Sequence, residues 1–398
     1  MTGAPRTVTI RAGRSKPLWF GHPWLFADSI DSIEDGDGDL VRVVDSDGKT
    51  IGHGWLSPSS LLRVRLLSRG DAPPDEIVLL RSRVEAAVSL RRRLFTDPKT
   101  TDAYRVVHGE GDGIPGLVVD RYGPVLVAQF STRPLLRRRE PLASILLAAT
   151  GAASIVARGG GHEDDEGIAA EEVSFEAGAP CPDFVDAREA GLLVRVDLRR
   201  GQKTGHYVDQ RESRVVVAQV SRGARVLDLY AGTGGFSLQA LKAGAASATA
   251  VDSSGPALAA ASAGAVANGV AGGLATVEAD VMEHLAALGR AGERYDLVVV
   301  DPPRFAATHK GLAKALQAYR HVNVRAMTRV APGGYLATFS CSGLVDAQEF
   351  ASVVLAASRD CARRLTVLRT LSAGPDHPVS LAAPVGRYLT GLLLRVEA

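Results

Sequence analysis

The sequence predicts an α/β protein in which the C-terminal half forms a mostly parallel sheet of seven strands. Its 398 residues exceed what one compact core usually holds, so we expect two or three domains. From residue 191 onward, short apolar runs typical of strands alternate with helical patterns, which favours right-handed βαβ crossovers. The last two strand-like runs have no helix between them, and this indicates one antiparallel strand at the edge of the sheet.

The N-terminal region, residues 1–72, is predicted to be a small β-barrel. Its apolar runs are short, and turns rich in Asp and Gly separate them. Four such runs are "RTVTIRAG", "DLVRVVD", "TIGHGWLS" and "LLRVRLLS". The segment "SRGDAPPD" that follows has no periodicity and has the composition of a linker.

A small α/β domain is predicted for residues 73–190, and the seven-stranded sheet for residues 191–398. Residues 75–100 place apolar side chains at three- and four-residue spacing, as an amphipathic helix does. A Gly-rich loop, two hairpin strands and a second helix follow. Residues 159–180 are acidic and Gly-rich, so we expect an exposed loop with a short strand there.

The composition excludes several classes of protein. The formal net charge is +2 and the hydrophobic content is 46%, both ordinary for a globular chain. The three cysteines, Cys181, Cys341 and Cys361, show no CxxC spacing, which argues against a disulfide framework and against a zinc site. No apolar run approaches the ~20 residues of a membrane span, and the N-terminus lacks the apolar segment of a signal peptide. We therefore expect a cytoplasmic protein without a metal.

A Gly-rich turn follows the first strand of the predicted sheet, in "VLDLYAGTGGFS" at residues 226–237. Its glycines let the backbone approach a ligand closely, but the spacing is not the GxGxxG of a pyrophosphate-binding loop. Carboxylates end the next two strands, and one about 20 residues past the loop is placed to accept both hydroxyls of a ribose. The residues predicted to bind this adenosine-type ligand are Asp228, Tyr230, Gly232, Thr233, Gly234, Asp252, Asp280 and Asp301. The alternative is structural, because glycines and strand-end aspartates occur in many doubly wound sheets.

The fourth and fifth strands of the sheet end in two further motifs. "VVVDPPRFA" has Asp301 at the carboxyl end of its strand, followed by two prolines that fix a rigid turn. "TFSCSG" has Cys341 at the same predicted edge, just before a helix whose positive end would favour a thiolate. The pattern therefore favours Cys341 as a nucleophile, against the alternative of a small buried cysteine. Cys181 and Cys361 lack such a setting and are expected to be structural.

Segments spread over nearly the whole chain carry a resemblance to a known family. They are "HPWLFADSI", "GEGDGIPGLVVDRYG", "GQKTGHYVDQRESR", "DPPRF", "TFSCSG" and "DHPV". In these segments the chain resembles the bacterial large-subunit ribosomal RNA cytosine-5 methyltransferase I family. The resemblance implies an N-terminal PUA domain, a small central α/β domain and a C-terminal Rossmann-like methyltransferase domain. It also implies S-adenosyl-L-methionine as cofactor, Cys341 as the nucleophile that adds to C6 of cytosine, and Asp301 beside the target base.

Large-subunit ribosomal RNA is the partner that the resemblance implies. The residues expected to contact it are Arg11, Arg14, Lys16, Lys203 and Arg304. Trp19, Phe20 and Trp24 offer stacking surfaces near the first three, although they could equally form the barrel core. Arginine triplets at residues 91–93 and 137–139 are further candidates for phosphate contacts, or else solvated helix faces. The acidic loop after residue 159 departs from the family pattern and argues against RNA contact there.

Several alternatives stay open at this point. The same fold could methylate a guanine or an exocyclic nitrogen, with Cys341 idle, or C5 of a uracil. A non-catalytic RNA-binding ribosome assembly factor with a vestigial cofactor fold is the rival from another class. A nicotinamide dehydrogenase is disfavoured because the phosphate-binding fingerprint is missing. A homodimer is left open, and so is the group that removes the C5 proton.

Overall fold

The computed structural model describes residues 5–35, 38–159, 163–199, 204–305 and 309–397. The chain divides into two compact units. The first comprises Met1–Val185, Val196–His206 and Pro375–Gly386, and the second comprises Asp186–Arg195, Tyr207–Gly374 and Arg387–Ala398. Within the described ranges, no helix is long and apolar enough to cross a membrane.

The first unit begins with a six-stranded sheet, ordered β2-β6-β5-β4-β1-β3. Its strands are β1 (Arg6–Ile10), β2 (Trp24–Phe26), β3 (Ile30–Ile33), β4 (Leu40–Val44), β5 (Thr50–Leu56) and β6 (Leu62–Arg69). A short helix, α1 (Lys16–Trp19), lies between β1 and β2. All pairings are antiparallel except that of β1 with β4. Alternate residues of β1 and β4 point into one apolar core, as the sequence pattern predicts.

The first unit continues with a five-stranded sheet, ordered β11-β10-β9-β8-β7, and its helices. The strands are β7 (Ala103–His108), β8 (Leu117–Tyr122), β9 (Val125–Phe130), β10 (Ser154–Ala157) and β11 (Phe175–Gly178). The helices are α2 (Glu76–Leu94), α3 (Arg133–Arg137), α4 (Arg139–Thr150), α5 (Glu163–Glu166) and α6 (Ala170–Val173). The chain then forms a two-stranded sheet of β12 (Phe184–Glu189) and β13 (Leu192–Asp197), of which Asp186–Arg195 belongs to the second unit.

One hydrophobic cluster joins the two sheets of the first unit. It contains Trp55 and Leu67 from the first sheet together with Leu80, Val84 and Val106 from the α2–β7 region. This shared core explains why residues 1–185 form one compact unit, and the division at residues 72 and 190 into three domains stays a prediction.

Arginines of both triplets form hydrogen bonds and ion pairs inside the first unit. Arg91 is buried and bonds both carboxylate oxygens of Asp112, at 2.6 and 2.8 Å. Arg138 bonds Asp39 and Glu76, and its guanidinium lies 5.0 Å from the centre of the Trp55 ring. The expectation that these two arginines contact phosphate is therefore wrong, because each stabilises the fold instead.

The second unit holds the seven-stranded sheet that the sequence predicts, ordered β16-β15-β14-β17-β18-β20-β19. Its strands are β14 (Arg225–Leu229), β15 (Ser247–Asp252), β16 (Leu274–Glu278), β17 (Tyr295–Val300), β18 (Val330–Ser340), β19 (Leu365–Ser372) and β20 (Thr390–Val396). The helices are α7 (Arg211–Ala218), α8 (Gly235–Lys242), α9 (Gly255–Ala267), α10 (Val281–Ala291), α11 (Leu312–Met327) and α12 (Ala347–Asp360).

The antiparallel strand lies inside this sheet, and not at its edge as the sequence suggested. The last strand, β20, pairs antiparallel with β18 on one side and with β19 on the other. Burial explains the order, because the middle of β20 is apolar and buried whereas most of β19 is exposed. An apolar, buried strand is best placed between two hydrogen-bonded neighbours, whereas the mostly exposed β19 can form the edge of the sheet.

Parallel register brings the ends of four strands to one edge of this sheet. Leu229 pairs with Val251 and with Val300, and Val300 pairs with Thr338. The residues that follow these partners therefore emerge together at the carboxyl edge, which is where open α/β sheets bind ligands.

Candidate active site

The Gly-rich turn after β14 adopts a backbone that few side chains tolerate. Tyr230 has φ +60°, and Gly232 and Gly234 have φ +53° and +75°. A Cβ at Gly234 would lie 2.8 Å from Cβ of Ala261 on α9, so glycine is required for this close approach. A Cβ at Gly232 would meet no atom within 4 Å, so open space borders the loop at that position. Thr233 between them is half-buried.

The carboxylate of Asp252 holds this loop to the end of β15. Its Oδ2 accepts a 2.8 Å hydrogen bond from the backbone N–H of Gly232, and its Oδ1 accepts one of 2.9 Å from Ser254. Asp252 is half-buried. The glycine loop and the carboxylate predicted to bind the ribose thus form one preorganised group.

Asp228 lies below the loop and is buried within β14. Its Oδ2 accepts hydrogen bonds from the backbone N–H and the hydroxyl of Ser237, at 3.0 and 2.8 Å. Burial raises the pKa of Asp228 to about 6, although the bonds from Ser237 oppose the shift. The polar residue in an apolar strand therefore anchors the first turn of α8 and supports the loop from behind.

Tyr230 begins the Gly-rich turn after β14, and Asp280 follows β16. Asp280 is exposed and caps α10, where its Oδ1 accepts hydrogen bonds from the N–H groups of Met282 and Glu283. Burial, followed by the charge of Asp280, raises the pKa of Tyr230 to about 12. This electrostatic effect indicates that the phenol and the carboxylate are close to each other.

The DPP turn and the cysteine are in direct contact, as the register of β17 and β18 requires. The Sγ atom of Cys341 lies 3.7 Å from the carbonyl oxygen of Pro302. Asp301 accepts a 3.0 Å hydrogen bond at Oδ2 from the side-chain amide of Gln210, which directly precedes α7. Arg304, further along the turn, is exposed.

The serines on either side of Cys341 anchor the strand end. Ser340 and Ser342 are fully buried, whereas Cys341 is half-buried. The Tyr319 hydroxyl lies 3.0 Å from Oγ of Ser342, and the backbone N–H of Ser342 donates to Oγ of Ser340 at 3.3 Å. The thiol is therefore held on a fixed backbone between two buried hydroxyls. The sequence analysis missed Tyr319, since a tyrosine within an amphipathic helix gives no signal of this role.

The expectation that the positive end of the next helix favours the Cys341 thiolate needs correction. The helix α12 begins at Ala347, six residues after the cysteine, and Asp346 caps it by accepting the N–H of Glu349. A carboxylate therefore already satisfies the positive end of that helix.

A segment before α7 brings further polar groups to the same edge. Burial raises the pKa of Tyr207 to about 12, and Asp209, Asp301 and Cys341 add to the shift in that order. Asp209 is buried and accepts a 2.6 Å hydrogen bond at Oδ2 from the hydroxyl of Tyr388. The role of Tyr388 was also missed, because it lies about 180 residues away in the sequence.

The residues predicted to contact RNA lie in different parts of the chain. Arg11, Arg14 and Lys16 are in the first unit, where Arg11 is exposed and its Nε donates to the carbonyl of Ile30 at 2.8 Å. Trp19 and Phe20 are exposed near Lys16, whose Nζ lies 5.9 Å from the centre of the Phe20 ring. Lys203 lies outside the described residues.

The arrangement in the second unit fits S-adenosylmethionine. Open space borders Gly232, and carboxylates end two adjacent strands beside the loop, as an adenosine ligand without pyrophosphate requires. The fold and the site define a class I methyltransferase.

Comparison with known proteins gives the same class. The family model described as S-adenosylmethionine-dependent methyltransferase matches residues 105–388, and that described as PUA-like domain matches residues 8–69. The "Ribosomal RNA large subunit methyltransferase I" of Shewanella denitrificans is 34% identical over 98% of this chain and 99% of its own. The protein of the same name from Photobacterium profundum is 35% identical with the same coverage. A solved putative methyltransferase complexed with SAH superposes with a TM-score of 0.85 at 20% identity, covering 98% and 99% of the two chains.

The chain therefore belongs to the ribosomal RNA large subunit methyltransferase I family of S-adenosylmethionine-dependent methyltransferases. This finding confirms the resemblance, the fold class with its PUA-like domain, and S-adenosyl-L-methionine as the cofactor.

Proposed function

We propose that this enzyme methylates C5 of a cytosine in large-subunit ribosomal RNA through a covalent bond between Cys341 and C6 of the base. The observation that carries the proposal is the contact between Cys341 and the Pro302 carbonyl of the DPP turn. This contact puts a thiol and the carboxylate-bearing turn at the edge of the sheet where the cofactor loop ends. The names of the relatives support the substrate class.

S-adenosylmethionine supplies an electrophilic methyl group when it is bound. We assign its ribose to Asp252 and its adenine to Asp280 and Tyr230. The methionine part is assigned to Gly232, Thr233 and Gly234, with Asp301 at the same edge. Asp228 belongs to this set as a positioning residue, because its contact with Ser237 holds the loop.

Cys341 activates the base by nucleophilic catalysis. Its thiolate adds to C6, and the electrons of the C5–C6 double bond make C5 nucleophilic enough to take the methyl group. The C5 proton then leaves, the double bond re-forms and the C6–S bond breaks. The backbone anchored by Ser340 and Ser342 keeps the sulfur in place during both halves of the reaction.

The Gln210 side chain fixes the orientation of Asp301 in this mechanism. An ionised carboxylate only accepts hydrogen bonds, so the amide nitrogen of Gln210 faces Asp301. Gln210 is itself buried, so it acts through the carboxylate and does not touch the base.

For the RNA contacts, we assign Arg11, Arg14 and Lys16 of the PUA-like domain to phosphates, with the exposed rings of Trp19 and Phe20 available to stack on bases. Arg304 is assigned to a phosphate near the target base. Lys203 remains a prediction from the sequence alone.

The experiment that tests the proposal is tritium release from large-subunit ribosomal RNA labelled at pyrimidine C5. We expect S-adenosylmethionine-dependent release by the wild type from cytidine label, loss of release in Cys341→Ala, and full release in the control Cys361→Ala. Release from uridine label would make the target uracil. Methyl incorporation without release would mean nitrogen or ribose chemistry. Absence of both methyl incorporation and tritium release would favour a non-catalytic ribosome assembly factor.

A further inference from the structure

We propose that the Tyr388–Asp209 pair accepts the proton that leaves C5 of the target base. The inference rests on the proposed function and names the base that this chemistry requires. Tyr388 is the residue that touches the substrate, and Asp209 is a positioning residue that takes the proton of the phenol.

The pair is a short hydrogen bond in a largely buried setting. The Tyr388 hydroxyl donates to Oδ2 of Asp209 at 2.6 Å, and Asp209 is only 4% exposed. Short bonds to a carboxylate are the stronger ones, and a buried carboxylate withdraws the phenolic proton from its oxygen. The phenolic oxygen is therefore able to receive a second proton while it gives up its own.

Tyr388 packs against the loop that carries the nucleophile. A Cβ at Gly343 would lie 3.7 Å from Cβ of Tyr388, and Gly343 is two residues from Cys341. Tyr388 and Cys341 also border the same hydrophobic cluster, which contains Phe339 and Leu389. The backbone that carries the hydroxyl–carboxylate pair thus lies beside the loop that carries the nucleophile.

The pKa of Tyr207 indicates that Asp209 lies near Asp301 and Cys341. After burial, the charges of Asp209, Asp301 and Cys341 raise the pKa of this one phenol, so all three groups lie near it. Tyr207 itself, with a pKa of about 12, keeps its proton near neutral pH.

The other carboxylates at this edge have different partners. Asp252 accepts two backbone N–H groups, and Asp301 accepts the amide of Gln210. Asp209 accepts a hydrogen bond from the hydroxyl of Tyr388, whose own chain segment borders the Cys341 loop. That arrangement suits a proton relay.

The step balances without any further reactant. The C5 proton moves to the oxygen of Tyr388 as the phenolic proton moves to Oδ2 of Asp209. The electrons of the C5–H bond form the C5–C6 double bond, and the C6–S bond breaks to return the Cys341 thiolate. Asp209 then loses its proton to solvent.

Removing the base after methyl transfer should trap the covalent intermediate. With target RNA and methyl-labelled S-adenosylmethionine, we expect Asp209→Asn and Tyr388→Phe to accumulate a methyl-labelled protein–RNA adduct stable on denaturing gels. Tritium release from C5 should fall about 100-fold, within the range of general-base effects. The adduct should be absent from the double variant Asp209→Asn, Cys341→Ala.

Tyr319→Phe is the matched control, because its hydroxyl bonds Ser342 on the same loop without a carboxylate. It should give no adduct, whatever its rate. Binding of S-adenosylmethionine to each variant checks folding. If wild type releases tritium but both variants lose methyl incorporation and tritium release in parallel, without adduct, the relay is wrong and the proposed function survives. If wild type releases none, both proposals fail.

Discussion

The side-chain amide of Gln210 donates a 3.0 Å hydrogen bond to Oδ2 of Asp301 and so ties the segment before α7 to the DPP turn. The two residues are 91 positions apart in the sequence. Because Gln210 is buried, its side chain has little freedom and this one bond fixes the orientation of the Asp301 carboxylate.

Replacing Gln210 by leucine should slow methyl transfer. The variant keeps the volume of the side chain but removes the hydrogen bond to Asp301, and a hydrogen bond of this kind to a charged group contributes about 1–3 kcal/mol. We expect kcat/KM for the target RNA to fall about 10- to 100-fold. Gln219→Leu, at the exposed C-terminal end of α7, is the control and should leave kcat/KM unchanged. An unchanged kcat/KM in Gln210→Leu would refute this positioning role.

Ser342→Ala should destabilise the second unit and slow the reaction. Ser342 and Tyr319 share a buried hydrogen bond. Because Ser340 also bonds the Tyr319 hydroxyl, loss of the Ser342 bond should cost about 0.5–1.5 kcal/mol. Thr338→Val provides the contrast on the same strand. The Thr338 hydroxyl is buried and bonds no group that the structure describes, so its removal should leave stability unchanged or raise it. Urea unfolding of both variants measures the difference.

The sequence predicted the seven strands, the glycine loop, Asp252, Asp301 and Cys341, because period-2 patterns and strand-end motifs are local signals. It placed β20 wrongly, since strand order depends on burial from both faces of the sheet. It could not indicate the partners Gln210–Asp301 or Tyr388–Asp209. Such pairs join positions 91 and 179 residues apart, and no local pattern records them.

The stability of the second unit should depend on the ionisation of Asp228. Its folded pKa of about 6 lies above the unfolded value, so the folded state holds a proton that the unfolded state has released. Between about pH 4 and 6 stability should therefore fall as pH rises, by up to about 1.4 kcal/mol per unit, and then level off. Asp228→Asn keeps an acceptor for Ser237 but removes the titration. The difference in unfolding free energy, variant minus wild type, should rise across this window, and a constant difference would contradict the assignment.

In the first unit, His108 should give stability the opposite pH dependence. Burial, and then the charge of Arg105, lowers the pKa of His108 to about 2, and Arg105 Nη1 lies 3.1 Å from its Nδ1. Below about pH 6.5 His108 binds a proton in the unfolded chain but not in the folded one, so stability is lost as pH falls. His108→Gln retains an acceptor and should lose less stability on acidification, by up to about 1.4 kcal/mol per pH unit. Denaturant unfolding at several pH values tests this, and parallel profiles would count against it.

Two alanine substitutions in the glycine loop should separate folding from cofactor binding. Gly234→Ala would force its Cβ to 2.8 Å from that of Ala261, and at φ +75° it would also be strained, so we expect a lower Tm. Gly232→Ala has φ strain of about 1 kcal/mol but no neighbour within 4 Å, so its Tm should fall less. Its methyl group would instead enter the space that we assign to S-adenosylmethionine and weaken binding at least tenfold. Calorimetric titration with S-adenosylmethionine and thermal unfolding of both variants distinguish the effects. Unchanged affinity in Gly232→Ala would place the cofactor away from this loop.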